Sequence, residues 1–329
     1  MSSARCEALL SWYGEHARSL PWRDTVEPYQ IWISEIMLQQ TQVKTVLPRY
    51  AAWFARFPSV AALAEADLDD VLKAWEGLGY YRRARFIHRA AQDIVEQHDG
   101  IFPNQFDEIM ALPGIGRSTA GAISSFCFAA NRPVLDGNVK RVLKRWHGKP
   151  AANDKTVWLL AQQAIDNASN PATWNQTMME LGATLCSAKV VDCQSCPVSS
   201  YCESAFQVEP AKELRKTVAV IDLHWQVDLH LDAQKGIWLR QRPASGIWAS
   251  LWTPPISELP QPSKRRPDHI HLLTHRRLHL YANRFTDEPM NEGIWVSNLD
   301  KHALPTGIHR LLATIDGISQ LLPSTQVVE

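Results

Sequence analysis

Over roughly the first two-thirds of the chain, apolar positions recur every three to four residues, the spacing of helices that bury one face. The stretches WISEIMLQQTQVKTVL (32–47), DDVLKAWE (69–76), RRARFIHRAAQDIVEQH (82–98), STAGAISSFCFAA (118–130) and VKRVLKRWH (139–147) carry it. Pro and Gly punctuate them, including at 21, 28, 48, 77, 79, 113 and 137. A polar run, QVEPAKELRK, then breaks the pattern. Beyond it the segments shorten and read as strands: TVAVIDLHWQVDLHL, GIWLRQR, HIHLL and HLYANRF, with turns at 243–246 and 254–268. The pattern predicts a mainly helical region to residue 206, a linker over 207–217 and an α+β domain over 218–329.

Composition adds limits. With 329 residues, 45% of them hydrophobic, the chain can bury a substantial core in two or three domains. Lys plus Arg equals Asp plus Glu at 34 each, which excludes a polybasic coat but not a local phosphate-facing patch. The chain begins without a secretory pattern and has no long uncharged apolar run, so the expectation is an intracellular protein with no membrane partner. In that setting, four of six cysteines between 186 and 202 favour a metal site over disulfides.

Three strings carry candidate chemistry. In LPGIGRSTAG (112–121), Gly114 and Gly116 permit a narrow turn, with Ser118 or Thr119 starting the next helix. Amides exposed there can hold a phosphate, directly or through a monovalent cation; a plain helix connection is the other reading. In WISEIMLQQTQV, Ile31 and Leu38 lie one turn either side of Glu35. Burial among them would raise its pKa and keep it protonated, as a general acid needs; a helix-boundary Glu is the alternative. In LDGNVKRVLKRW, Asp136 precedes a helix, to cap it or face a ligand, and the positive helix end favours its ionised form. Two carboxylates held in opposite protonation states suit glycosidic-bond cleavage. Cys186, Cys193, Cys196 and Cys202, spaced C-x6-C-x2-C-x5-C, suit zinc or an iron–sulfur cluster, and sulfur coordination alone does not separate them.

Together these strings resemble the MutY adenine glycosylases of the endonuclease III-like, helix-hairpin-helix superfamily. The resemblance implies a glycosylase region with a six-helix barrel part at about 22–135 and a cluster-containing part at about 1–21 and 136–206. It implies a [4Fe-4S] cluster on the four cysteines and DNA-backbone contacts through Gly114, Gly116 and the hairpin. Glu35 would protonate the adenine, Asp136 would support the sugar cation or add to C1′, and Asn138 would position Asp136 or water. Trp22, Arg23 and Leu38 are expected around the adenine pocket, unless Trp22 and Arg23 simply pin the N-terminal segment to the core. Glu180 would be a second adenine-facing carboxylate, unless it is a paired structural Glu. Gln40, Thr41 and Tyr80 would meet the distorted duplex, and Lys140 a phosphate or merely solvent. Ser118 stands where the bifunctional relatives carry a nucleophilic Lys, so base removal without efficient strand cleavage is implied. An endonuclease III-like glycosylase/lyase is the runner-up.

The C-terminal domain resembles the Nudix-like lesion-recognition domain of the same family, but no acidic Nudix box is present. Where that family has a Phe-Ser-His-like element, this chain has Leu273, Thr274 and His275, which keeps the hydroxyl and imidazole and loses the aromatic ring. The implied substrate is duplex DNA with adenine opposite 8-oxoguanine or guanine, acted on by a DNA-associated monomer (cytoplasm or nucleoid if bacterial) in base excision repair. Nothing in the sequence names a repair or replication partner.

Overall fold

The computed structural model describes residues 3–208, 219–287, 289, 292–315 and 318; most of the expected linker, 209–217, lies outside them. Helices α1 (Ser3–His16), α2 (Pro28–Leu38), α3 (Val43–Arg56), α4 (Val60–Glu65), α5 (Leu68–Ala74) and α6 (Arg82–His98) come first. They are followed by α7 (Phe106–Ala111), α8 (Arg117–Phe128), α9 (Gly137–Trp146), α10 (Asp154–Ile165) and α11 (Pro171–Ala183). Strands β1 (Ile221–Asp232), β2 (Gly236–Gln241), β3 (Trp252–Thr253), β4 (Ile256–Glu258), β5 (His269–Leu272), β6 (Arg276–Phe285) and β7 (Ile294–Val296) precede α12 (Thr306–Ala313).

Contacts divide the chain into two compact units that do not follow the sequence order. One lies within Met1–Tyr50, Ser59–Ala61 and Arg89–Leu214; the other within Ala51–Pro58, Ala62–His88 and Arg215–Glu329. The division thus cuts through α3 and α6 and groups the 62–88 segment with the C-terminal strands.

In the first unit α8 is the central helix. Thr119 through Phe126 are all buried, and α2, α7 and α11 pack on it. Its run of small residues permits that approach: a Cβ on Gly121 would stand 2.4 Å from the Pro133 carbonyl oxygen. A second cluster joins Leu9 and Trp12 of α1, Val139, Val142, Leu143 and Trp146 of α9, Ala161 of α10 and Trp174 and Leu181 of α11. The α9 positions are those its periodicity predicts. Cys186, Cys196 and Cys202 pack against this cluster.

In the second unit Trp53 meets Trp75 edge-on, with ring centroids 5.6 Å apart. The sheet is mixed: β1 runs parallel to β6 from Ile221↔Arg276 to His230↔Phe285, and antiparallel to β2 and β4. Trp225, Val227 and Leu229 alternate inward, as expected of a strand with one buried face. β5 and β6 form a hairpin whose two-residue tip is Thr274–His275, closed by Leu273 N–H donating to the Arg276 carbonyl at 2.8 Å. Two expectations need correcting. The 32–47 run is not one helix: α2 ends at Leu38 and Gln40 adopts φ 54°, so Gln40 and Thr41 sit in a turn. The 254–268 stretch is not all turn, because β4 lies within it. No helix among the described residues is long and apolar enough to cross a membrane.

Candidate active site

α2 carries Glu35 on a face lining a narrow cleft, with Trp22, Arg23, Ile31, Ser34, Leu38, Phe126, Gln176 and Met179 around it. The cleft holds about 40 Å³, room for water but far below the roughly 300 Å³ at which ligand pockets begin. Burial pushes the Glu35 carboxyl up to about 8, and the nearby charge of Asp136 pushes the same way. A carboxylic acid in that state is protonated at neutral pH and can donate.

Asp136 is fixed from several sides. It N-caps α9, accepting from Val139 N–H at 2.7 Å and from Asn138 Nδ2 at 3.2 Å. The extended segment leading to it is pinned by Ser118 Oγ, which accepts from Leu135 N–H at 3.0 Å. Asn175 accepts from Val134 N–H and donates to the Arg132 carbonyl and Ser125 Oγ. Opposite tuning of the two acids does not hold in full. Burial raises Asp136 as well, outweighing the hydrogen bonds from Val139 and Asn138 and the charge of Arg141 that favour its anion. The positive helix end does favour the anion, but desolvation of the cap is the larger effect.

Glu180 is fully buried and does not line the cleft. It accepts from Arg18 Nε at 2.7 Å, Arg18 NH2 at 2.8 Å and Arg23 NH2 at 2.6 Å. Burial alone would raise its pKa, but the two guanidiniums outweigh that and hold it below the usual range. Glu180 thus ion-pairs with both arginines, of which Arg23 lines the cleft. Gln176 and Met179, next to Asn175 and Glu180 on α11, reach the cleft without any sequence signal of their own.

At the hairpin, Gly114 takes φ 79° and Gly116, not Ser118 or Thr119, is the cap of α8. The amides of that first turn have no intrahelical acceptor, as at any helix start. Lys140 is ion-paired with Asp154 on the surface. The GLGYY turn has Gly77 and Gly79 at φ 84° and 69° and Tyr80 at φ 46°. Tyr80 is half exposed, and its hydroxyl lies 2.7 Å from Thr274 Oγ; His275 is exposed beside it.

The four clustered cysteines are free and partly buried, and Cys186, Cys193 and Cys202 bear electrostatically on Cys196. Burial and that mutual effect push the Cys196 thiol to about 11. Arg145 donates to Cys186 Sγ at 3.2 Å and to the Cys186 and Ser187 carbonyls. Among the described residues no three His, Cys, Asp or Glu side chains close on one point as metal ligands. Cys6 is buried, and burial raises Cys127 to about 12, as befits packed thiols.

Residues 33–167 match the model of the HhH-GPD superfamily base excision DNA repair proteins. The adenine DNA glycosylase of Buchnera aphidicola subsp. Baizongia pistaciae is 40% identical over 255 residues, covering 75% of this chain and 72% of that one. The chain belongs to the adenine DNA glycosylase family. The Homo sapiens adenine DNA glycosylase is 43% identical over 216 residues, covering 61% of this chain and 39% of its own. A thermostable thymine-DNA glycosylase structure shares the fold at TM-score 0.58 and 24% identity, over 62% of this chain and 98% of that one. An endonuclease III–DNA complex does so at TM-score 0.54 and 21% identity, over 63% and 98%. Family membership places Glu35, Asp136 and the hairpin inside the matched segment; the cysteine loop and the C-terminal strands lie beyond it.

Proposed function

We propose that this adenine DNA glycosylase hydrolyses the N-glycosidic bond of adenine opposite 8-oxoguanine, with adenine opposite guanine as a lesser substrate. The observation that carries it is the Glu35 acid, raised to about 8 by burial and the Asp136 charge in a cleft lined by Trp22, Arg23 and Leu38. A base stacked in duplex DNA cannot reach such a cleft, so the nucleotide must be extruded and the cleft must widen. Glu35 then gives its proton to the adenine ring and the base leaves as a neutral molecule. Asp136, in its ionised form and held by Val139 and Asn138, stabilises the positive charge on the sugar or adds to C1′. Asn138 orients Asp136 or the incoming water.

Ser118 supplies no amine, and its Oγ is engaged with Leu135 N–H, which supports base removal without an efficient lyase step. The hairpin amides of 114–118 would grip the strand, directly or through a monovalent cation. Cys186, Cys193, Cys196 and Cys202 would hold a [4Fe-4S] cluster, whose iron–thiolate bonds would tie the 193–202 loop to Cys186 just past α11. Four partly buried cysteines, with Arg145 donating to Cys186 Sγ at 3.2 Å, fit such a ligand set. The mixed sheet of the second unit fits a Nudix-like reader, with Thr274 and His275 facing the base opposite adenine.

The test is a set of matched duplexes with adenine opposite 8-oxoguanine, guanine, cytosine or thymine. Alkali-labile sites should appear fastest opposite 8-oxoguanine, without a reducible enzyme–DNA Schiff base. Removal of oxidised pyrimidines in place of adenine would overturn the reading.

A further inference from the structure

The turn that presents Tyr80 is costly to build. A non-glycine residue in the left-handed region is strained, and it persists only where its surroundings enforce it. At this turn Tyr80 takes φ 46° directly after Gly79 at φ 69°. The enforcing group is Arg83, a buried charged side chain only 8% exposed. Its NH2 donates to the Leu78 carbonyl at 2.8 Å and the Gly79 carbonyl at 3.1 Å. Trp75 Nε1 gives the Gly79 carbonyl a second donor at 3.0 Å. The guanidinium is flanked by aromatic rings, 5.1 Å from the Trp75 centroid and 5.8 Å from that of Tyr80. Arg83 N–H donates to the Tyr80 carbonyl at 2.9 Å, closing the turn. Burial lowers Arg83 only to about 10, so it stays charged at neutral pH. Beyond the turn, the hydroxyl of Tyr80 meets Thr274 at the β5–β6 tip, inside the same compact unit.

We propose that Arg83 is a positioning residue. It locks the left-handed Tyr80 turn and, through the Tyr80 hydroxyl, sets the Thr274–His275 tip, so that the two move as one element. As a specificity device this rests on the reading that Tyr80 and Thr274 meet the base opposite adenine; as a mechanical coupling it does not. Lysine at 83 keeps the charge and much of the stem but loses the planar guanidinium that lies near the Trp75 and Tyr80 rings, and its shorter reach weakens the hold on the Leu78 and Gly79 carbonyls. Phenylalanine at 80 removes a single exposed hydroxyl.

The experiment is amide hydrogen exchange on the full, DNA-free protein for the wild type, R83K, Y80F and the double variant. The reporters are residues 77–81 and the Leu273 amide that closes the tip. R83K should speed exchange about tenfold at both turns, and Y80F at the Leu273 amide. In the Y80F background R83K should add nothing at Leu273, because the link is already cut. In parallel, the ratio of single-turnover rates for adenine opposite 8-oxoguanine and opposite guanine should fall severalfold in either variant, without a further fall in the double. Additive effects, or R83K loosening 77–81 while Leu273 keeps its protection, would overturn the proposal. If R83K unfolds throughout, Y80F decides, and unchanged exchange at Leu273 in Y80F rejects the coupling. Absence of any adenine excision would reject the functional reading and leave the exchange result to judge the coupling.

Discussion

The hydroxyls of Tyr80 and Thr274 lie 2.7 Å apart across 194 residues of chain. They join the exposed aromatic of the GLGYY turn to the tip of the β5–β6 hairpin, two positions that the sequence marks independently. Thr274→Ala should lower the preference for adenine opposite 8-oxoguanine over guanine by roughly 3- to 10-fold, the usual worth of one hydrogen bond. Thr274→Ser should restore most of it. Rates on the two duplexes, measured side by side, check both.

Glu35 makes a prediction about pH. Its folded-state value of about 8 lies above the ordinary 4.5, so the folded protein holds a proton there that the unfolded chain has released. Its contribution to stability is complete below about pH 4.5 and is lost as pH rises through about 8. Glu35→Gln does not titrate, so its melting temperature should gain on the wild type steadily across that window. A tenfold difference in proton affinity is worth about 1.4 kcal/mol, giving a gap on the order of a few kcal/mol above pH 8. Base excision by the wild type should fall on the alkaline side with the same group. Glu35→Gln should lose at least ~100-fold in rate at neutral pH.

Glu180 anchors two arginines, one of which lines the cleft. Glu180→Gln leaves Arg18 and Arg23 short of their counter-charge and should cost about 2–5 kcal/mol, less for the half-exposed Arg18 than for Arg23. Because Arg23 forms the cleft wall, substrate binding should weaken along with the melting temperature. A variant that melts normally and binds normally would remove Glu180 from the site's support.

A methyl group on Gly182 would stand 2.7 Å from the Asn138 Cβ and 3.0 Å from its backbone carbonyl oxygen. Asn138 in turn donates to Asp136. Gly182→Ala should therefore displace the support of Asp136, costing roughly 1–3 kcal/mol in stability. The excision rate should fall by about tenfold or more even where the protein remains folded. Single-turnover kinetics on protein shown folded by calorimetry separates the two effects.

For the cysteines, protein made with iron available should be brown, with iron and acid-labile sulfide in proportion. Cys196→Ser should lose most of both and melt earlier. A colourless protein carrying one zinc would replace the cluster with the other thiolate reading.

Most helices are legible in the sequence because a single buried face imposes the 3.6-residue period, as Val139, Val142, Leu143 and Trp146 show on α9. The hairpin is legible because Gly114 needs a positive φ that few other residues take. The break after Leu38 is hidden because Gln39–Gln42 are polar on every face, and only the left-handed Gln40 ends α2. The pairing of Glu180 with Arg18 and Arg23 spans more than 150 positions, and no periodicity reports a partner that far away. The rise in Asp136 is hidden for a related reason: helix ends are local, whereas burial is set by α11 and α8 packing around the cap.

The second compact unit gathers residues 62–88 with strands made more than 130 positions later. Within it, His309 pairs with Glu76 at 2.6 Å and Arg85 donates to the Ala249 carbonyl at 2.7 Å. A ribosome adding about 5–20 residues per second needs on the order of 10–50 s to travel from Glu76 to His309. For most of that interval the segment carrying Tyr80 is outside the exit tunnel without the surface it finally packs on. Nascent chains of this protein are therefore exposed to chaperone capture and proteolysis in the stretch around Tyr80. Slowing translation between the two halves should lower the yield of active enzyme while the sequence stays the same.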